Sequence, residues 1–164
     1  ARRCAAFGMN IIAAGRENTK REAERLGYEY VADFHDALDR ADFVSLHLPA
    51  RADKAAILGA AEFAAMKLGS YVINTARGSL IDEDALYTAL TSGHLAGAGL
   101  DVTKDEPPKP DCPLLTLDNV LFTPHNSALT VETGRRVSET AVRNVFAALD
   151  GTLDPSYVVN GEIL

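Results

Sequence analysis

The fold is decided by residues 70–102, SYVINTARGSLIDEDALYTALTSGHLAGAGLDV. SYVINT at 70–75 is a short, mostly apolar run of strand length. Asp82 then caps a predicted helix that runs through Leu90 and stops at Ser92-Gly93. A second apolar run, at 96–102, returns as a strand. Two strands separated by one helix predict a parallel pair joined by a crossover.

The same alternation continues on both sides. Residues 10–14 (NIIAA) read as a buried strand after the glycine-containing turn at Phe7-Gly8-Met9. Residues 19–26 (TKREAERL) form a charged amphipathic helix that stops at Gly27. A strand at 28–31 follows, then a short helix at 33–40 with Asp33 as its cap. The next strand, 42–48 (DFVSLHL), is ended by Pro49, and helical material covers 53–66. Downstream, 119–122 is the last strand, and 130–149 is a long helix with Val137, Ala141, Val142, Val145 and Leu149 at helical spacing. The proline-rich stretch 106–113 (EPPKPDCP) fits neither a regular helix nor an inner strand and reads as a loop. The fold class expected is α/β: a doubly wound, Rossmann-like parallel sheet whose strands are covered on both faces.

Composition narrows the function classes. With 164 residues, 47% of them hydrophobic and 24% charged, the chain can bury a core. Its formal charge of −7 argues against a nucleic-acid or anionic-membrane partner, since both demand clustered lysine and arginine. No run approaches the ~18 apolar residues of a membrane span, and the start ARRCAAFGMN lacks the features of a signal peptide. Cys4 and Cys112 form neither a CxxC pair nor a disulfide framework, which fits reduced thiols in a cytoplasmic protein. No cluster has metal-ligand spacing, so no catalytic metal is expected.

Three segments carry chemistry. INTARGSLIDEDAL (73–86) delivers an Arg-Gly turn before a capped helix; GLDVTKDEP (99–107) ends a strand at Asp101 with an acid five residues on; TPHNSA (123–128) presents His125. Ligands of open parallel sheets sit outside the carboxyl ends of the strands, and all three segments lie at such ends. Singly, His125 reads as a surface or turn histidine, Arg77 as a surface cation and Glu106 as one more acid. Their joint order is what distinguishes them.

In that order they resemble the D-isomer-specific 2-hydroxyacid dehydrogenase family: an Asn-x-Ala-Arg-Gly turn, an Asp-Val-x-x-x-Glu-Pro strand end, then Pro-His. FGM (7–9), SLHLP (45–49) and VVN (158–160) fit as well, so the likeness covers nearly the whole chain. It implies His125 as general acid/base, Glu106 as its carboxylate partner and Arg77 as the cation that orients the substrate. Reducing a keto acid builds negative charge on the carbonyl oxygen, which a protonated histidine neutralises. A neighbouring carboxylate favours the imidazolium, and arginine grips a substrate carboxylate through two parallel hydrogen bonds. His35, His47 and His94 gain no such support; His47, in an apparent inner strand, reads as structural.

The chain departs from the family twice. It has no Gly-x-Gly-x-x-Gly turn, and ARRCAA resembles the end of the helix that follows that turn. The expectation is therefore an incomplete sheet, its first strand and Gly-rich turn upstream in a chain of roughly 300 residues or more. That strand belongs between 10–14 and 42–48, and without it two central rows of backbone groups lack partners. Residues 1–125 are expected to be the truncated nucleotide-binding domain, and 126–164 a C-terminal helix and tail returning to a substrate domain. Second, NAD-specific members place an acid at the end of the second strand, where this chain has Gly15 followed by Arg16. Losing the carboxylate relieves repulsion of a 2′-phosphate, and Arg16 can pair with it, helped by Lys20 or Arg21. This favours NADP(H) over NAD; the alternative is a solvated charge cluster at a helix start.

Other cofactor contacts implied by the resemblance are Leu48 and Pro49 beside the adenine, the Thr75 and Ala76 backbone, Asp101 at the nicotinamide carboxamide and Ser127 nearby. Asp101 has the alternative of merely ending its strand, and the LPARADK stretch (48–54) lacks the family's threonines, so no contact is assigned there. The resulting expectation is a cytoplasmic, homodimeric oxidoreductase acting on a small 2-keto or 2-hydroxy acid of the glyoxylate/hydroxypyruvate class. Glu106 argues against the formate dehydrogenases of the family, which carry Gln there, while 3-phosphoglycerate and phosphite dehydrogenation stay open, since the groups that discriminate them are expected upstream. A nicotinamide-binding corepressor of the same fold is the alternative; a methyltransferase would leave Arg77, Glu106 and His125 unexplained together.

Overall fold

The structure, a computed structural model, describes residues 1–49 and 55–160. The chain forms two compact units, Ala1–His125 and Asn126–Leu164. In the first unit the order is α1 (Arg2–Ala6), β1 (Ile12–Ala14), α2 (Glu17–Leu26), β2 (Glu29–Val31), α3 (His35–Leu38) and β3 (Phe43–Leu46). It continues with α4 (Ala60–Ala65), β4 (Ser70–Asn74), α5 (Glu83–Thr91), β5 (Leu95–Leu100) and β6 (Val120–Phe122). The second unit carries α6 (Val131–Leu149), capped by Thr130, whose hydroxyl accepts the Thr133 N–H, and none of its residues is buried.

All strand pairs are parallel, and β3-β4-β5-β6 form one four-stranded sheet in sequence order. β1 and β2 form a separate parallel pair, in register from Ile12 beside Glu29 to Ala14 beside Val31. Among the described residues no ladder joins β1 to β3. The break falls between the two strands that the family resemblance sets on either side of a further strand.

Local signals explain most boundaries. The Asp82 carboxylate accepts the Asp84 and Ala85 N–H groups, satisfying two orphan donors of α5. Gly27 ends α2 in the left-handed region, at φ 71°, which costs glycine nothing. The helix expected at 33–40 with Asp33 as its cap is the shorter α3, whose N-cap is Phe34; the Asp33 carboxylate accepts the His35 N–H from outside it.

Three expectations need correction. The helix placed at 53–66 begins only at Ala60; residues 53 and 54 lie outside the described set. Leu58 instead makes a parallel bridge to Ile81, with its N–H donating to the Leu80 carbonyl, and Gly59 sets the helix start. His47 lies beyond β3 and is exposed, sharing a hydrogen bond with Ser45, so it is no inner-strand histidine. Nor is the larger sheet buried on both faces: Phe43 and Tyr71 stack at 5.0 Å, half exposed, and Leu121 is 71% exposed on that side. Gly97 and Gly99 lie between them on β5 and leave no side chain to close that face.

The opposite face holds the core. Val72, Leu86 and Leu58 are fully buried, with Phe63, Leu95 and Leu114 nearly so. Each such side chain contributes about 1.5–3 kcal/mol relative to exposure. This packing fixes the carboxyl ends of β4, β5 and β6 against one another, which is what the site requires.

Candidate active site

Each of the three expected reactive residues follows the carboxyl end of a strand. Arg77 comes after β4, Glu106 lies in the loop after β5, and His125 comes after β6. The structure brings them together. The His125 Nδ1 lies 2.8 Å from the Glu106 Oε2. Hydrogen bonding to His125 is the largest influence on Glu106 and holds its carboxyl below the ordinary value of 4.5. Burial opposes that shift; the Thr103 N–H and the positive charges of His125 and Arg77 add to it. Arg77 is thus near enough for its charge to be felt at the carboxylate.

The sign of this effect sets a pH window. A carboxyl with a depressed value keeps its negative charge as pH falls through 4.5 and loses it only below that point. Carbon-13 titration of the Glu106 carboxyl is expected to give a midpoint under 4.5 in the wild type, returning toward it in His125→Ala. A wild-type midpoint at or above 4.5 would contradict the pair.

His125 is held by its backbone. Among the described residues it is the non-glycine residue with a positive φ, 51°, and its N–H donates to the Asp101 carbonyl at 2.9 Å. Such a conformation is costly for a side-chain-bearing residue and persists only where neighbours impose it. Asp101 is the anchor. It is 4% exposed; its N–H donates to Asn74 O, and its carboxylate accepts the Thr123 hydroxyl at 2.6 Å. The geometry gives Asp101 a bracing role between β4 and β6.

The arginine turn is built by Asn74 and Gly78. Asn74, 1% exposed, donates through Nδ2 to the Arg77 carbonyl and accepts the Ala76 N–H. Gly78 is buried, and a methyl group there would stand 2.0 Å from the carbonyl carbon and oxygen of Thr103. Hence the Arg-Gly turn and the loop bearing Glu106 touch backbone to backbone. The signal for both was present in the Asn-x-Ala-Arg-Gly pattern. The Arg77 guanidinium donates to the Ala76 carbonyl and, among the described residues, makes no salt bridge, so it can receive an outside carboxylate.

The expected cofactor residues are more scattered. Thr75 and Ala76 border Arg77, while Leu48 and Pro49 are exposed just after β3. Gly15 and Arg16 stand after β1, in the other sheet. Arg16 is exposed at the start of α2 and has no ion pair among the described residues, whereas Arg21 pairs with Glu17. Gly15 has no room for a side chain: a Cβ would lie 2.6 Å from the Thr19 Oγ1, and the Tyr30 hydroxyl binds the Gly15 carbonyl. Ser127 belongs to the second unit. Of the other histidines, His35 bridges Asp33 and Glu62, and the His94 ring meets the Met66 carbonyl. No group of three or more His, Cys, Asp or Glu among the described residues is placed to hold a metal ion.

Comparison with known proteins gives this geometry its context. Residues 1–127 match the family described as D-isomer specific 2-hydroxyacid dehydrogenase, NAD binding domain. The chain is 43% identical over 157 residues to D-3-phosphoglycerate dehydrogenase from Methanocaldococcus jannaschii, covering 96% of this chain and 30% of that one. It is 40% identical over 167 residues to glyoxylate reductase from Korarchaeum cryptofilum, covering 100% of this chain and 49% of the relative. Its fold superposes with a TM-score of 0.77, at 34% identity, on an NADPH-dependent glyoxylate/hydroxypyruvate reductase from Sinorhizobium meliloti, solved with NADP and malonate; the match covers 89% of this chain and 44% of that one. The chain therefore spans about half or less of the length of these relatives.

Proposed function

The chain belongs to the D-isomer specific 2-hydroxyacid dehydrogenases, and from that premise we propose that it carries the cofactor-binding and proton-transferring machinery of a reductase for small 2-keto acids. The substrate class we favour is glyoxylate and hydroxypyruvate. The single observation that carries the reading is the His125–Glu106 pair with Arg77 beside it, three groups distant in sequence at one edge of one sheet.

Their chemistry fits the reaction. A bound nicotinamide supplies the hydride. Glu106 steadies the His125 ring through Nδ1, which leaves Nε2 to deliver a proton to the oxygen on which negative charge develops. Arg77 takes the substrate carboxylate and fixes which carbonyl face is presented. In the oxidative direction neutral His125 accepts the hydroxyl proton instead.

For a dinucleotide we assign Arg16, which has no ion pair among the described residues, beside Gly15, where a Cβ would meet Thr19, together with the exposed Leu48 and Pro49 and the Thr75-Ala76 backbone. We assign the cofactor as NADP, with NAD as the alternative, because Gly15 offers no carboxylate to repel a 2′-phosphate and Arg16 offers a cation to meet it. Asp101 and Ser127 are assigned to the nicotinamide side on family likeness, as are a homodimer and a cytoplasmic setting. No described helix is long and apolar enough to cross a membrane.

The test is direct. The full-length protein is expected to oxidise NADPH when given glyoxylate or hydroxypyruvate, and silence across a broad keto-acid panel would overturn the reading. For cofactor choice, Gly15→Asp needs space that Thr19 occupies, so the informative variant is Gly15→Asp with Thr19→Ala. It is expected to move the NADPH/NADH preference at least about tenfold toward NADH, the equivalent of ~1.4 kcal/mol. An unchanged ratio in a folded double variant would remove Arg16 and Gly15 from cofactor selection.

A further inference from the structure

We propose that Glu83 is a positioning residue for the proposed acid/base pair, holding the loop that carries Glu106 at the distance His125 requires. Glu83 is the first residue of α5, half-buried, and its carboxylate accepts the Lys104 backbone N–H at 2.6 Å. Lys104 follows Thr103, the residue whose carbonyl rests on Gly78. The loop is therefore fastened to the Arg77 segment at two neighbouring points, one by packing and one by a charge-assisted hydrogen bond.

From that fastening the loop leads straight to Glu106. The Thr103 hydroxyl donates to the Asp105 carbonyl at 2.7 Å, and the Thr103 N–H donates to the Glu106 Oε1 at 3.4 Å. Thr103 is buried, while Lys104, Asp105 and Glu106 are exposed. Exposed backbone without a tether opens readily, so the Glu83 contact decides how well the Glu106 carboxylate keeps its place. Among the described residues no hydrogen bond or ion pair joins Glu83 to His125 or Glu106, so its proposed action runs through the loop.

A duller role exists for an acid at a helix start, which is to complement the helix dipole. Asp82 and Asp84 flank Glu83 and are themselves placed for that task. The two roles separate under substitution. Glu83→Gln keeps an acceptor oxygen and loses the charge; Glu83→Ala loses both.

The experiment uses the full-length protein. Amide hydrogen exchange at Lys104 is expected to quicken roughly tenfold or more in Glu83→Ala and to stay near wild type in Glu83→Gln. Turnover of the keto acid is expected to fall about tenfold in Glu83→Ala with the KM for NADPH unchanged, and to be restored in Glu83→Gln. Unchanged Lys104 exchange in Glu83→Ala, or equal damage in both variants, would overturn the proposal. Because the effect on turnover rests on the reductase reading, the two can fail separately. If the wild type reduces no keto acid while Lys104 exchange follows the expected pattern, the tether stands and the reductase assignment falls.

Discussion

Replacing His125 by alanine is expected to lower keto-acid turnover by about 10²- to 10⁴-fold, the usual weight of a positioned proton donor. Cofactor affinity is expected to change little, because the imidazole is assigned to the substrate oxygen and not to the dinucleotide. Two features make the loss large. The ring is locked by Glu106 at Nδ1, so no water or neighbouring residue can replace it with the same orientation. The backbone at 125 sits at a positive φ, 51°, tied to the Asp101 carbonyl, and this fixes the direction in which the side chain leaves the backbone. Alanine in the same backbone keeps the strain and loses the aim. Steady-state kinetics with cofactor titration separates the outcomes, and near-normal turnover would end the acid/base assignment.

The second large effect is expected at Gly78, a residue without functional atoms. In Gly78→Ala the new methyl group would stand 2.0 Å from Thr103 C and O and 2.5 Å from Lys104 N. These are backbone atoms, so no rotamer change relieves the clash. The loop must retreat by more than an ångström to reach ordinary contact. Overpacking of this kind costs about 1–3 kcal/mol, a fall of several degrees in Tm at this size. The functional cost is expected to be greater than the structural one. A retreat at Thr103 carries Glu106 away from His125, and misplacement by about 1 Å can lower turnover about 100-fold. Thermal unfolding and kinetics on the same sample check both parts; a variant with wild-type Tm and turnover would show that the loop does not rest on the glycine.

These two residues show how much the sequence discloses. His125, Glu106 and Arg77 were legible as candidates because their joint order resembles that of a known family, and parallel topology gathers strand ends on one rim. Asp82 and Gly27 were legible because capping is local chemistry. Gly78 appeared in the pattern, but its necessity was not readable, since its reason is contact with Thr103, twenty-five positions away by residue number. Glu83 was hidden for the same reason, its partner being a backbone amide in another loop. The helix at 53–66 was misplaced because Leu58 is recruited into a bridge with Ile81, a tertiary contact that apolar periodicity does not distinguish from helix. His47 looked internal because strand length was read from hydrophobicity, and β3 ends at Leu46.

One keto acid is expected to meet both Arg77 and His125. The most direct measurement is a crystal structure of the full-length protein with NADPH and oxamate, a non-reacting analogue of a 2-keto acid. The predicted result is a single oxamate whose carboxylate lies against the Arg77 guanidinium while its amide carbonyl accepts a hydrogen bond from His125 Nε2. Oxamate bound away from that pair, or touching one of the two while the other faces solvent, would contradict it.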